Sequence, residues 1–133
     1  MNVIDLELYR WQWHNLKYKD EPFIATLPKQ SGKTTMLGRI TRILENNRQD
    51  FVFVVSTEAN RNIINRQYGI NKDKILVFPP VLASANFVLQ TQGVDYKDKH
   101  LLIDEYTFYS PHALKELLRM KWKSVVMAGT LKL

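Results

Sequence analysis

Phe23-Ile24-Ala25-Thr26-Leu27-Pro28-Lys29-Gln30-Ser31-Gly32-Lys33-Thr34-Thr35 sets the reading of the whole chain. Residues 23–27 are a short apolar run suited to a buried strand. Pro28 to Gly32 reads as a loop. A helix then follows from about Lys33 to Glu45. Met36, Leu37, Ile40, Ile43 and Leu44 recur at helical spacing and are expected to face inward, with Arg39 and Arg42 on the other side. A strand, a loop and a helix that opens on Gly-Lys-Thr form the setting of a phosphate loop.

The full pattern is G-x-x-x-x-G-K-[ST]. Here it is met at Gly32, Lys33 and Thr34, while Leu27 stands at the first glycine position. Backbone N–H groups at a helix N-terminus attract phosphate oxygens. Gly32 lets the backbone turn closely around them, Lys33 brings a mobile positive charge, and Thr34 offers a hydroxyl to Mg²⁺. The competing reading is a glycine turn before a basic helix start. It sits badly with the helix dipole, which disfavours a cation in the first turn.

Outward from this segment, apolar strands alternate with amphipathic helices, which is the α/β pattern. Residues 5–17 predict a helix with Leu6, Tyr9, Trp13 and Leu16 on one stripe. Further strands are expected at Phe51–Val55, Ile75–Phe78, His100–Ile103 and Ser124–Ala128. Helices are expected at 58–68, with Ile63, Ile64 and Tyr68 inward, and at 111–121, through Leu114, Leu117 and Leu118. The stretch 81–91 reads equally as helix or strand. Continuous apolar strands separated by helices predict a parallel sheet covered on both faces. Ligands of such sheets bind at the carboxyl ends of the strands.

Asp104 and Glu105 fall at one of those ends, after His100-Leu101-Leu102-Ile103. In P-loop ATPases the Asp at such a strand end holds Mg²⁺, usually through water. A following Glu can orient and polarise the attacking water. The alternative is a strand cap of solvated acids. Thr130, at the end of the last strand, is either a sensor of the terminal phosphate or an ordinary strand end. Trp11 and Trp13 flank Gln12, so one of these rings or Tyr9 can be imagined near a base; Trp13 equally fits the core, on the stripe with Leu6 and Leu16. Lys115, Arg119, Lys121 and Lys123, with Trp122 among them, suit either a nucleic-acid backbone or a solvated face, and so do Arg61 and Arg66.

The chain has 133 residues, enough for one domain spanning 1–133, and is 45% hydrophobic. Its net charge of +6 raises the odds of a nucleic-acid partner without requiring one. The absence of cysteine excludes disulfides and thiolate zinc sites, and His14, His100 and His112 form no ligand-spaced pair. No apolar run approaches the roughly 20 residues of a membrane span, and the N-terminus does not read as a signal peptide. No membrane is expected as a partner, and a reducing, cytoplasmic compartment is; for a viral protein that is the host cytoplasm.

Four features together resemble the ATPase domain of phage terminase large subunits, the DNA-packaging motors, and the related first domain of superfamily 2 helicases. Residues 28–35 look like the terminase phosphate loop R-Q-x-G-K-[ST], with Gln30 matching and Lys29 where terminases carry an Arg that reaches the γ-phosphate. Leu101 to Phe108 is similar to the terminase acidic motif. Ala128-Gly129-Thr130 resembles the coupling motif one strand later. Tyr9-Arg10-Trp11-Gln12 looks like the adenine-reading Gln segment, which makes 1–22 an adenine-side helix.

The resemblance implies a three-layer P-loop NTPase fold of the additional-strand type, mostly parallel, with the acidic strand beside the phosphate-loop strand. It implies ATP and Mg²⁺ as cofactors. Gln12, Pro28, Gln30, Ser31, Gly32, Lys33, Thr34, Thr35 and Thr130 would surround the nucleotide. Thr34 and Asp104 would hold the metal, and Glu105, Lys33 and Lys29 would carry catalysis. The implied partners are DNA, double-stranded in preference, and further copies of the chain or a companion motor subunit. Lys29 departs from the family's Arg, since Lys lacks the planar fork that grips phosphate oxygens. The sequence ends after the coupling strand, without the lid, nuclease or second helicase domain, so complete packaging, unwinding or DNA cleavage is not expected of it alone. A small ATP-binding regulator or helicase-like fragment with slow turnover is the alternative. A binding module that lost its chemistry is the third, opposed by the intact Lys33, Thr34, Asp104 and Glu105.

Overall fold

A computed structural model describes residues 2–81 and 96–131. The elements are α1 (Val3–Lys17), β1 (Phe23–Leu27), α2 (Lys33–Asn46), β2 (Asp50–Val55), α3 (Glu58–Tyr68), β3 (Ile75–Val77), β4 (Lys99–Asp104), α4 (Pro111–Arg119) and β5 (Ser124–Thr130). Single 3-10 turns precede β3 and follow β4, at Lys72–Lys74 and Tyr106–Phe108. Apart from Val81, the stretch 81–91 lies outside the described residues.

Local chemistry explains most of the boundaries. Asn2 caps α1 by accepting the Asp5 N–H at 2.8 Å, and Thr57 and Ser110 cap α3 and α4 in the same way. Pro111 occupies the first turn of α4, where its missing N–H costs nothing. Gly69 ends α3 in the left-handed conformation that glycine adopts without strain.

The strands form one sheet in the order β1-β5-β4-β2-β3, and every described pairing is parallel. This corrects the expectation that the acidic strand lies beside the phosphate-loop strand. An additional strand, β5, stands between them: Leu27 of β1 pairs with Thr130, and Asp104 of β4 pairs with Ala128. Parallel strands owe their neighbours to crossover connections rather than to sequence adjacency, so the order is not written in any one strand.

Helices cover both faces. On one, α1, α2 and α3 bury Trp11, Met36, Leu37, Ile40 and Ile64 against Phe51, Phe53 and Leu102. On the other, Ala113 and Leu117 of α4 pack with Leu101, Ile103 and Met127. Ile43, Leu114, Leu118 and Tyr68 are partly buried against these cores. Burying each large aliphatic side chain contributes about 1.5–3 kcal/mol.

Two expectations about helix faces fail. The α1 stripe of Leu6, Tyr9, Trp13 and Leu16 is exposed, and Trp13 is 48% accessible. The buried ring is Trp11, with Ile4 and Leu8 packed beside it. Both stripes have helical spacing, and tertiary contacts choose between them. Arg39 on α2 bonds Asp5 at 2.8 Å, and Ile4 lies against Gly32, where a Cβ would collide with it. Ile63, expected inward, is 38% exposed because α3 turns it toward a cleft rather than the core. Among the described residues no helix is long and apolar enough to cross a membrane.

Candidate nucleotide and metal site

β1 ends at Leu27, and the chain turns through a loop that enters α2 at Gly32. Gln30 and Gly32 both take positive φ, +61° and +84°. Gly32 bears this without strain, whereas positive φ is uncommon for a residue with a side chain such as Gln30. Ser31 Oγ is buried with no hydrogen-bond partner. A buried orphan hydroxyl in a loop that opens a helix fits an anion held at the helix N-terminus.

Two more elements deliver acids to this loop. Thr34 Oγ1 donates to Asp104 across 3.3 Å to each carboxylate oxygen. Lys33 Nζ lies 3.7 Å from Glu105 Oε1, with both side chains less than one-fifth exposed. Glu105 has φ +57°, which takes the chain out of the strand and into the 3-10 turn. Its carboxylate accepts the Thr130 N–H at 3.0 Å, the Thr130 hydroxyl, and the Thr107 hydroxyl at 2.8 Å. Gly129 makes this approach feasible, since a Cβ there would overlap the Tyr106 ring and press on Thr107. Tyr106 is anchored in turn by a 3.0 Å hydrogen bond between its hydroxyl and that of Thr26.

The two acids are in different electrostatic states. Burial pushes the Asp104 carboxyl up to about 6, reinforced by the charge on Glu105 and opposed by the Thr34 hydrogen bond and by Lys33. Burial acts in the same direction on Glu105. The hydrogen bonds from Thr130 and Thr107 and the charge of Lys33 outweigh it, so Glu105 stays below its ordinary range. Glu105 is therefore a carboxylate at neutral pH, already aimed by three donors. Asp104 gains from any cation brought close to it.

The donor set fits Mg²⁺ bound together with phosphates. That ion uses one or two carboxylates, a hydroxyl and retained waters rather than a full protein cage. Thr34 and Asp104 supply this, and no cluster of three or more His, Cys, Asp or Glu suited to a metal occurs among the described residues.

A cleft of about 270 Å³ runs from Lys33, Thr34, Asp104 and Glu105 along α3. Of the other residues expected at the nucleotide, Thr35 is half-buried and bonded to the Tyr68 hydroxyl at 3.3 Å. Thr130 reaches the site through Glu105. Pro28, Lys29 and Gln30 are exposed on the loop and do not line the cleft. Gln12 is exposed on α1, eight residues or about 12 Å along the helix from the Ile4 that touches Gly32, and it does not line the cleft either. Neither Tyr9, Trp11 nor Trp13 lines it.

The basic residues read from sequence as nucleic-acid contacts are partly committed elsewhere. Arg61 bonds Glu58 and the Lys72 carbonyl, Arg66 the Asn62 carbonyl, Arg119 Glu116, and Lys123 Gln49. Sequence reasoning missed two groups. Thr107 holds Glu105, and its place two residues on was a faint clue. Ser56, Asn60 and Gln67 line the cleft, and the signal was the polar pair Asn60 and Gln67 seven residues apart on the face that also carries Ile64.

Compared with models of known protein families and with curated proteins, the chain matches none.

Proposed function

We propose that the chain binds and hydrolyses ATP with Mg²⁺ through a P-loop site of the additional-strand type, like the ATPase domain of terminases, and serves a DNA-translocating motor. One observation carries the reading. Thr34 and Asp104, and Lys33 and Glu105, come from segments about 70 residues apart and meet at the carboxyl ends of parallel strands. The interposed β5 supports the additional-strand assignment.

In this reading Lys33 leaves Glu105 for the terminal phosphates, and Thr34 and Asp104 hold the metal. Mg²⁺, when bound, neutralises charge on the phosphate oxygens. Glu105 accepts a proton from the attacking water, while Thr130 and Thr107 keep its carboxylate aimed. DNA as partner rests on the net charge of +6 and the resemblance. The cytoplasmic setting and the assembly with further copies or a companion subunit belong to the same proposal.

A slowly turning regulator is the second reading, and the Lys33–Glu105 pair favours it, because that contact must break before catalysis. Lys29, away from the cleft, gives no planar guanidinium to the transferred phosphoryl group, whose stabilisation by Arg is worth about 10³–10⁵ in rate. The test is Mg²⁺-dependent ATP binding, followed by turnover against protein concentration with and without double-stranded DNA. A rate that rises with DNA or concentration supports a motor part that is completed in trans. A slow rate indifferent to both supports the regulator. No binding of MgATP refutes both.

A further inference from the structure

α3 lies along the cleft for its whole length. Asn60, Ile63, Ile64, Gln67 and Tyr68 all line it, and their spacing of 3, 4, 7 and 8 residues puts them on one helix face. The helix is held at both ends. It starts two residues after Ser56, the residue following β2. Ser56 and Glu105 directly follow the paired strands β2 and β4, and both line the cleft. At the other end the Tyr68 ring lies on Gly38 of α2, and its hydroxyl meets Thr35 Oγ1 at 3.3 Å. The Asn60 end is thus beside Glu105, and the Gln67 end beside the turn of α2 that carries Thr34.

Apart from Asn62, whose Oδ1 is buried without a partner away from the cleft, the two sides of α3 differ in how their polar groups are used. Away from the cleft, Arg61, Asn65 and Arg66 are bonded to Lys72, Ile70 and Asn62 carbonyls. On the cleft face the carboxamides of Asn60 and Gln67 make no side-chain hydrogen bond to another described residue. A carboxamide donates and accepts at once, so it can bond a phosphate oxygen and a water together.

We infer that α3 is a third wall of the nucleotide site: the Asn60 carboxamide hydrogen-bonds the terminal phosphate and the water beside Glu105, and the Gln67 carboxamide bonds the water shell of the metal on Thr34 and Asp104. This rests on the ATP reading above and deepens it. Both are positioning residues: Asn60 contacts only what a triphosphate brings, and Gln67 contacts the hydrated metal. Asn60 therefore sets the preference for triphosphate over diphosphate and couples the state of the terminal phosphate to α3.

The experiment compares the unaltered chain with Asn60→Ala, Asn60→Asp, Gln67→Ala and the opposite-face control Arg66→Ala. Calorimetry measures binding of MgADP and of a non-hydrolysable Mg–ATP analogue; steady-state assays measure turnover and its Mg²⁺ dependence, and thermal melting checks the fold. Melting is expected to stay unchanged throughout, and MgADP affinity to stay unchanged in the Asn60 variants and Arg66→Ala. The preference for the triphosphate analogue should fall about tenfold in Asn60→Ala, and further in Asn60→Asp, because a carboxylate cannot donate and repels phosphate. Turnover should fall about tenfold or more. Gln67→Ala should require about tenfold more Mg²⁺ for half-maximal rate. If both alanine variants discriminate the nucleotides and turn over like the unaltered chain, while Lys33→Ala weakens binding about 10- to 100-fold, the assignment of α3 is wrong and the phosphate-loop reading stands. If the unaltered chain binds neither nucleotide, the ATP reading falls and this assignment falls with it.

Discussion

The hydroxyl of Thr34 stands 3.3 Å from both carboxylate oxygens of Asp104, across 70 residues of sequence. The contact joins the first turn of α2 to the end of β4, where Asp104 is largely withdrawn from water. Its carboxyl is raised from 3.8 to about 6.

Asp104→Asn is therefore expected to stabilise the metal-free fold. A carboxyl whose folded pKa is raised adds stability below about pH 3.8 and has lost it above about 6. At pH 7 the charged form thus costs about 3 kcal/mol, which the neutral amide recovers. Urea unfolding at pH 7 without metal checks this. Mg²⁺ with nucleotide should then stabilise the unaltered chain and not the variant; equal stabilisation of both would remove Asp104 from the metal site.

His100 is buried between Ser124 Oγ and Gln49 Oε1 at the opposite end of β4. Burial, then the charge of Lys123, pushes its pKa from 6.5 down to about 4. The unfolded chain binds this proton first, so stability falls as pH drops from 6.5 toward 4, by about 2 kcal/mol. Asp104 opposes the trend over nearly the same interval, so the test belongs in the Asp104→Asn background. There, unfolding free energy should decline over this window, and His100→Gln should flatten the decline.

Lys33→Ala should weaken binding of MgATP about 10- to 100-fold, since a charge-assisted contact is worth about 1.5–3 kcal/mol. Glu105→Gln should keep binding and lose turnover by about 10²-fold or more, because an amide accepts no proton. Binding isotherms and single-turnover rates separate the two, and normal turnover in Glu105→Gln would place the base elsewhere.

Thr130→Val deletes the hydroxyl on Glu105 and keeps the backbone N–H donor. Nucleotide affinity should hold while turnover drops about tenfold, the effect of one lost charge-assisted hydrogen bond. A raised KM with unchanged kcat would mean that Thr130 contacts the nucleotide itself.

Gly129→Ala should be more disruptive than its size suggests. The added methyl would overlap the Tyr106 ring and crowd Thr107, a residue that holds Glu105. Overpacking of this kind costs about 1–3 kcal/mol. Denaturation should show that loss together with reduced turnover, and an unchanged Tm would show that the turn after β4 shifts freely.

The strands, the loop at 28–32 and the paired acids were legible because their signals are local. Apolar runs of strand length bury themselves wherever they are placed, and Gly32 before Lys33 and Thr34 needs only its flanking strand and helix to be recognised. The inward faces of α2 and α4 were legible for the same reason, each having one strongly apolar stripe.

The sequence by itself determined the α/β class, the parallel sheet and the identities of Lys33, Thr34, Asp104 and Glu105 as the candidate chemistry. Tertiary structure alone decided the rest. α1 carries two stripes of helical spacing, and only the seat of Ile4 on Gly32 and the Arg39–Asp5 bond select the one with Trp11. β5 separates β1 from β4 because crossovers, not strand composition, assign neighbours. The grip of Thr130 on Glu105, and the turn of Ile63, Asn60 and Gln67 toward the cleft, arise where segments far apart in the chain meet. Periodicity gives each helix a face but not a partner, and the partner is chosen by packing and by the polar contacts that packing allows.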